Sequence, residues 1–485
     1  MRITARIWLL GALGLLACGD SDSASETPDA GDSSDGAVDA ADGLLGDIAD
    51  ELRGIPGLTV EERPTMLEGY RFFVMTYDQP VDHEAPTGQR FAQRLTLLHR
   101  DYAAPVIAHN SGYSVSTRGS RSQLTVLTAG NQLSMEHRYF SPSRPDPADW
   151  TKLTIAQAAA DQHRITQALK ARIYRGRWLT TGASKGGMTS LFHRRFFPGD
   201  VDGTVAYVAP IDYPADAVQS PTNRYIAFLE NVGTDPACRQ KLKDFQNLVL
   251  ARRDAMKTRM RGEATFTEVL GEDRALDFAV VELPFIFWQY GTQSRCSTIP
   301  GPTATDAAVF SFLDNTAGVA SYGDEDLTAF LPYYHQSATQ LGYPAADESY
   351  LVGLQFPSQD TAQAYIPAAI PTPAYDEGAA MQDVQTWLAT SGERIMLIYG
   401  QNDPWTAGAV DLGAASDSYK YIAPGANHGA SLTTLTSQDE SDAQAAILRW
   451  ADLPSSGPMF RARLDTGERT LEQEELELRR HRRSR

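Results

Sequence analysis

An α/β fold with a large helical interruption is the architecture this sequence predicts, on three observations. Short, continuously apolar runs alternate with segments of helical spacing up to about residue 210 and again beyond 390, the pattern of a parallel sheet buried on both faces. Between about Ala215 and Asp383 that rhythm gives way to helical stretches and long Pro- and Gly-containing connections. A Gly-x-Ser-x-Gly pentapeptide, Gly182-Ala183-Ser184-Lys185-Gly186, joins a strand to a helix. With 485 residues, 42% of them hydrophobic and 21% charged, the chain can bury a large core, which excludes wholesale disorder and a collagen-like chain.

The first element is an address. Arg2 and Arg6 precede an apolar run, Ile7 to Ala17, too short for a membrane span and shaped like a secretory signal over residues 1–17. The run closes Leu15-Leu16-Ala17-Cys18-Gly19 and resembles a bacterial lipoprotein signal, with lipid on Cys18; the other reading is an ordinary secretory leader. Several acyl chains on one cysteine suffice to anchor a soluble domain. The expected location is the cell envelope, at the outer membrane or cell surface, or otherwise secreted. Residues 18–55 read as an acidic, solvated tether: Asp20 to Asp50 holds ten acidic residues and no Lys or Arg. This segment carries much of the net charge of −18, which speaks against binding nucleic acid through a basic field. Residues 461–485, Glu-rich and then Arg-rich, read as a frayed tail or as a basic patch for anionic lipid or glycan.

The core divides into residues 56–214 and 385–460. Expected strand runs are Phe72 to Met75, Leu95 to His99, Val106 to His109, Thr125 to Thr128, Leu133 to Glu136, Trp178 to Thr181, Val205 to Ala209, Ile395 to Tyr399 and Tyr419 to Ile422. Ile155, Ala158, Ala159, Ile165 and Leu169 recur at helical spacing, and Ser437 with Glu440 reads as a capping box. The intervening residues 215–384 read as a mostly helical lid, with helices over Leu242 to Met260 and Leu276 to Tyr290. Three cysteines are too few for a disulfide scaffold or a four-cysteine zinc site. In an oxidising compartment Cys238 and Cys296 are expected to pair, closing a loop worth roughly 4 kcal/mol.

Chemistry concentrates at three points. Ser184 sits where a strand turns sharply into a helix, which exposes its hydroxyl. A serine needs a base, and His428, in Gly425-Ala426-Asn427-His428-Gly429 just past the last strand, is the candidate. The base needs a carboxylate to fix its tautomer. Asp403, in Asn402-Asp403-Pro404-Trp405, fills that role, with Asp212 as its competitor. The order Ser, Asp, His is that of an α/β-hydrolase fold, here with a large, mostly helical inserted lid. For the oxyanion, the expected donors are the backbone N–H of Lys185 and that of Tyr113, with Gly112 as the near alternative to Tyr113. No metal or organic cofactor is expected.

Thr181 to Thr189, continuing through His193-Arg194-Arg195-Phe196-Phe197-Pro198-Gly199-Asp200 to Tyr207-Val208-Ala209-Pro210, resembles the secreted bacterial tripeptidyl aminopeptidases, serine peptidase family thirty-seven. Gly130 to Phe140, Leu283 to Tyr290 and Asn402 to Trp405 are also similar, and the related lysosomal Pro-Xaa carboxypeptidase family shares the Glu-His-Arg and Asp-Pro-Trp elements. The resemblance implies a peptide substrate, an exopeptidase activity, a proline-accommodating pocket and the triad Ser184, Asp403, His428. An aminopeptidase must also hold an ammonium, for which a buried carboxylate is suited. Glu136 and Glu282 are the candidates; the plainer readings are a structural pair with Arg138 and an exposed helix face. Trp405 and Trp288 are candidates for a proline pocket, or else core. A carboxylester hydrolase on the same scaffold and a surface-anchored binding protein without activity are the rival functions.

Overall fold

The computed structural model describes residues 46–211, 223–454 and 470–474. Cys18, Asp212, the leader and most of both charged termini lie outside the described residues. Nine strands form one sheet in the order β1-β2-β3-β5-β4-β6-β7-β8-β9. They are β1 (Leu58–Arg63), β2 (Arg71–Pro80), β3 (Arg90–His99), β4 (Val106–Asn110), β5 (Asn131–Met135), β6 (Trp178–Ala183), β7 (Gly203–Tyr207), β8 (Ile395–Gly400) and β9 (Tyr419–Ala423). From β5 to β9 every pairing is parallel, but β1, β2 and β3 pair antiparallel, and β3 meets β5 antiparallel. The sheet is therefore mixed, where apolar runs alone predicted a parallel one. Short connections between β1, β2 and β3 leave no room for a crossover helix, so these strands return as hairpins.

The helices are α1 (Ile48–Arg53), α2 (Gln123–Thr128), α3 (Ile155–Arg172), α4 (Lys185–Phe196), α5 (Arg224–Asn231), α6 (Pro236–Ala251), α7 (Arg253–Met260), α8 (Glu272–Val281), α9 (Leu283–Tyr290), α10 (Asp306–Ala317), α11 (Asp324–Gln336), α12 (Ala379–Ser391) and α13 (Ser437–Trp450). Each sheet face has its own apolar cluster. On one face α3 supplies Ile165 and Leu169 to Phe73, Leu95 and Leu133; α13 supplies Ala443, Ile447 and Trp450 to Val205, Met396 and Ile398. Helices α5 to α11 belong to the insertion, which builds a separate core from residues such as Phe245, Phe278, Phe287, Trp288 and Phe312. Cys238 of α6 and Cys296 are disulfide-bonded there, with Cα atoms 5.3 Å apart.

Several expectations need correction. The tether does not reach residue 55. Asp47 caps α1, and Ile48, Ala49 and Leu52 are buried against the β1–β3 side of the sheet. Three apolar residues on one helix face outweigh the acidic composition around them. Thr125 to Thr128 is helix α2 and not a strand, because Ser122 accepts the Thr125 N–H as an N-cap. The cap of α13 is Thr436, which accepts the Asp439 N–H; Ser437 is its first residue. The stretch Leu242 to Met260 breaks at Arg252, and Leu276 to Tyr290 breaks at Glu282, where Pro284 opens the next helix. The second core part begins at Ala379 and not 385, since Met381, Val384 and Leu388 of α12 face Ile395 and Leu397. Within the charged tail, Thr470 and Leu471 are buried, and the Leu471 N–H donates to Arg121 O at 2.8 Å.

Candidate active site

The chain enters the parallel part of the sheet at β4, steps to β5 on one side, and returns through β6 on the other side of β4. The carboxyl ends of β4 and β6 thus flank the point where the direction of winding reverses, the place where open α/β sheets take ligands. The loop after β4 is Asn110-Ser111-Gly112-Tyr113, and the turn after β6 carries Ser184.

Ser184 has φ 57° and ψ −128°, a strained conformation for a residue with a Cβ. The strain is imposed by close backbone contact: a Cβ on Gly186 would lie 2.1 Å from Asn110 O, so only glycine lets α4 and the β4 loop approach this closely. The Ser184 N–H donates to Tyr207 O at 2.8 Å, which ties the turn to β7. Lys185 is the first residue of α4, so its N–H points out of the helix N-terminus beside Ser184. Its side chain is buried; Nζ donates to Gly112 O at 3.0 Å and lies 5.8 Å from the centre of the Tyr113 ring. The Tyr113 N–H donates to Ser111 Oγ at 3.0 Å. The second expected oxyanion donor therefore has a partner within its own turn and would have to exchange it.

Asp403 follows β8 and His428 follows β9, two and three strands beyond β6 along the same edge. Both are buried, and His428 Nδ1 lies 2.7 Å from Asp403 Oδ2. The other Asp403 oxygen accepts the Trp405 N–H at 3.2 Å. This leaves His428 Nε2 buried with no hydrogen-bond partner, so Ser184 Oγ is not bonded to it here. Bonds of this kind often tighten only once substrate is bound. Chemically, the carboxylate fixes one imidazole nitrogen and leaves the other as an acceptor.

Ser184 opens into a cleft that runs between the sheet edge and the lid and is open to solvent. Tyr113, Tyr225, Phe330, Tyr333 and Trp405 give its wall aromatic faces, and Met188 and the Asp326 carboxylate also line it. Trp405 packs edge-on against Phe285 and Tyr225, with ring centres 5.0 and 6.0 Å away. Its indole N–H is buried without a hydrogen-bond partner and is an open donor at the wall.

The two candidate carboxylates part company. Glu136 is fully buried away from this cavity and does structural work, though not with Arg138. It accepts from Arg94, from Ser143 Oγ at 2.8 Å and from the Val115 N–H at 3.0 Å, while Arg138 pairs with Asp161 at 2.7 Å. Burial pushes the Glu136 pKa up; the Val115 amide and the Arg94 charge pull it back. Trp288 is likewise not in the cavity: it is 1% exposed in the lid core, beneath Gly233. Glu282, by contrast, is half-buried rather than on an open helix face. It accepts from Tyr322 Oη and from Tyr343 Oη, the latter at 2.5 Å, and Tyr343 lines the cavity. Tyr365 donates to Asp360 at 2.6 Å and lies 3.5 Å from Glu282. Burial, then the charge of Glu282, hold Asp360 well above the usual carboxylate range. Among the described residues, no Lys, Arg or His forms an ion pair with either acid.

Sequence reading missed Asp360 and the tyrosines around it. The one available signal was the density of tyrosine through the lid, Tyr333, Tyr334, Tyr343, Tyr350 and Tyr365, which fits no motif.

The sheet order, the strained serine and the buried Asp–His pair define a serine hydrolase of the α/β-hydrolase fold, and the comparisons narrow it to a serine peptidase. The chain belongs to the PS-10 peptidase S37 family, whose sequence model matches residues 41–477. It is 44% identical over 415 residues to a prolyl tri/tetrapeptidyl aminopeptidase of Streptomyces mobaraensis, covering 84% of this chain and 85% of that one. Among solved structures it is similar to a proline iminopeptidase of Mycobacterium smegmatis, with 12% identity over 81% of this chain and 98% of that one and a TM-score of 0.34. It is also similar to a peroxisomal α/β-hydrolase of Saccharomyces cerevisiae, with 10% identity over 83% and 96% and a TM-score of 0.34.

Proposed function

We propose that this peptidase is an aminopeptidase that removes a tri- or tetrapeptide ending in proline from substrates with a free amino terminus. The observation that carries the reading is a single cavity that holds Ser184, the Trp405–Tyr225 wall and Tyr343, the residue that joins it to Glu282. The Streptomyces relative bears the corresponding name. In this reading Ser184 Oγ attacks the scissile carbonyl while His428 Nε2 takes its proton, and Asp403 stabilises the imidazolium. The Lys185 N–H and an amide of the Gly112–Tyr113 turn hold the oxyanion; Tyr113 serves if it releases Ser111 Oγ. His428 then protonates the leaving amine, and water repeats the sequence on the acyl-enzyme. The flat Trp405 and Tyr225 faces suit a proline ring, and Glu282 meets the substrate ammonium.

The test is mass spectrometry of products from a small peptide library, each member offered with a free and with an acetylated N-terminus. Expected products are N-terminal fragments of three or four residues ending in proline, from the free peptides alone. Equal cleavage of acetylated peptides would overturn the aminopeptidase reading, and turnover of short acyl esters alone would favour an esterase. We also propose that lipid on Cys18 holds the enzyme at the cell envelope, on the strength of the residues around it. Metabolic labelling with a fatty-acid probe should mark the wild type and not Cys18→Ser; label that persists in the variant, or full release of wild type to the medium, would defeat this.

A further inference from the structure

The hydrogen bond to Asp403 fixes one corner of the His428 ring, and a ring held at one nitrogen pivots about it. Where Nε2 lies depends on the backbone of the loop, and that loop, Gly425-Ala426-Asn427-His428-Gly429, has glycine on both sides of the histidine. Gly425 has φ +67°, in the region that favours glycine. The loop's freedom must be removed by its neighbours, and one of them is the lid.

Two bonds join the loop to the end of lid helix α9. The His428 N–H donates to Gln289 O at 3.0 Å. Asn427 Nδ2 donates to Gly291 O at 2.9 Å. The same Asn427 side chain turns its oxygen back on its own loop, where Oδ1 accepts the Gly429 N–H at 3.0 Å. Tyr290, between the two lid carbonyls, stands edge-on to the His428 ring, 6.0 Å between centres. The lid end of this connection is itself fixed. The Gly291 N–H donates to Phe287 O at 2.8 Å, and the turn that follows carries Cys296, bound to Cys238 of α6. On the sheet side, the Asn402 N–H donates to Ala426 O at 2.8 Å.

We propose that Asn427 is a positioning residue: its amide couples the seating of α9 to the position of His428 Nε2, so that the base is aligned by the lid as well as by Asp403. The inference rests on His428 being the base. It adds that the insertion is part of the catalytic machinery and not only a cover.

The test compares Asn427→Ala, Asn427→Asp and, as a reference, His428→Ala, in steady-state and single-turnover assays on the cleaved peptide. Displacing a general base by a fraction of an ångström to an ångström costs on the order of 10- to 100-fold in rate. Asn427→Ala is therefore expected to lower kcat and the acylation rate by about that factor, with KM within about threefold, because Asn427 does not itself line the cavity. Asn427→Asp is close to isosteric and guards against a folding defect. It keeps the acceptor for Gly429 but sets a carboxylate against Gly291 O, so it should be as slow as the alanine variant at neutral pH. Protonation restores a donor, so its rate relative to wild type should recover as pH falls toward the carboxyl pKa of about 4. A merely structural role would not give that recovery. The proposal is overturned if both variants keep kcat within twofold of wild type, if the loss lies only in KM, or if Asn427→Asp is fully active at neutral pH. If His428→Ala itself retains activity, the base assignment fails; if it is inactive while the Asn427 variants are normal, only the positioning role fails.

Discussion

The sheet edge and the lid treat buried acids in opposite ways. At the edge, Asp403 has both oxygens engaged, one on the His428 ring and one on the Trp405 amide. In the lid, Glu282 and Asp360 stand close together and are met by tyrosine hydroxyls, with no cationic side chain paired to either among the described residues. Two buried acids met only by hydroxyls are relieved in part by a proton on Asp360, which leaves Glu282 as the group that would gain from a positive charge. The acid at the edge thus finds its partners within the chain, whereas the lid acids meet only hydroxyls; the proposed function assigns the cation that Glu282 would take to the substrate's own terminus.

The strongest way to break this comparison is at the edge. Ser184→Ala should fold normally and lower kcat/KM by at least about 10⁴-fold, leaving only what binding and the oxyanion donors supply. Steady-state assays at high enzyme concentration, with labelling by a fluorophosphonate probe in parallel, would check it. Activity within a hundredfold of wild type would show that the strained turn after β6 is not where the nucleophile lies.

The lid half of the comparison is sharpened by removing one charge without removing volume. Glu282→Gln keeps the volume and one acceptor oxygen for the Tyr322 and Tyr343 hydroxyls, turns the other oxygen into an NH2 donor, and loses the charge-assisted bond to an ammonium, which is worth roughly 1.5–3 kcal/mol. The expected result is a kcat/KM lower by about 10- to 100-fold on peptides with free amino termini. Any slow cleavage of acetylated peptides should be unchanged. An equal loss on both kinds of peptide would assign Glu282 a structural role.

The same contrast explains what could be read from sequence. Ser184, Asp403 and His428 were legible because a parallel strand ends in a short loop, so strand order and chain order together place three distant residues on one edge. Gly182 and Gly186 mark a backbone approach that no other residue allows, which makes the elbow a local signal. The antiparallel β1–β3 ribbon was not distinguishable from its apolar runs, since Phe72 to Met75 and Leu95 to His99 look like parallel strands while β1, polar and largely exposed, gives no apolar run at all. Helix α2 was hidden for a related reason: Thr125 to Thr128 is β-prone in composition, and only the Ser122 cap decides against a strand. The lid acids were the least legible. Glu282 owes its surroundings to Tyr322, Tyr343 and Tyr365, which come from three separate segments, and nothing in spacing announces that they converge. Trp288 and Trp405 show the same limit, since equal chemistry is core in one case and cavity wall in the other.

The smallest effect, per group and per pH unit, is expected from titration, and it too divides the molecule. In the sheet half, burial pulls down the pKa of His99 to about 4 and of His109 to about 3, and lowers those of His137 and His193. An unfolded histidine titrates near 6.5. Below that pH the unfolded chain binds protons that the folded chain refuses, so stability falls as pH drops from about 6.5 toward the folded values, by up to about 1.4 kcal/mol per pH unit for each group. Of the described lid, His335 alone shares this behaviour. Asp360 has the opposite sign. Its folded pKa is raised, so the folded form keeps a proton that the unfolded chain releases above about 4, and its contribution is lost as pH rises. Hydrogen exchange followed by mass spectrometry should therefore show protection in β3, β4 and α4 weakening first as pH is lowered from 6.5 to 4.5, with exchange corrected for its intrinsic pH dependence. Loss beginning in α8 to α11 would mean that the buried histidines do not govern acid stability, and that the sheet and lid do not differ in the way their buried charges suggest.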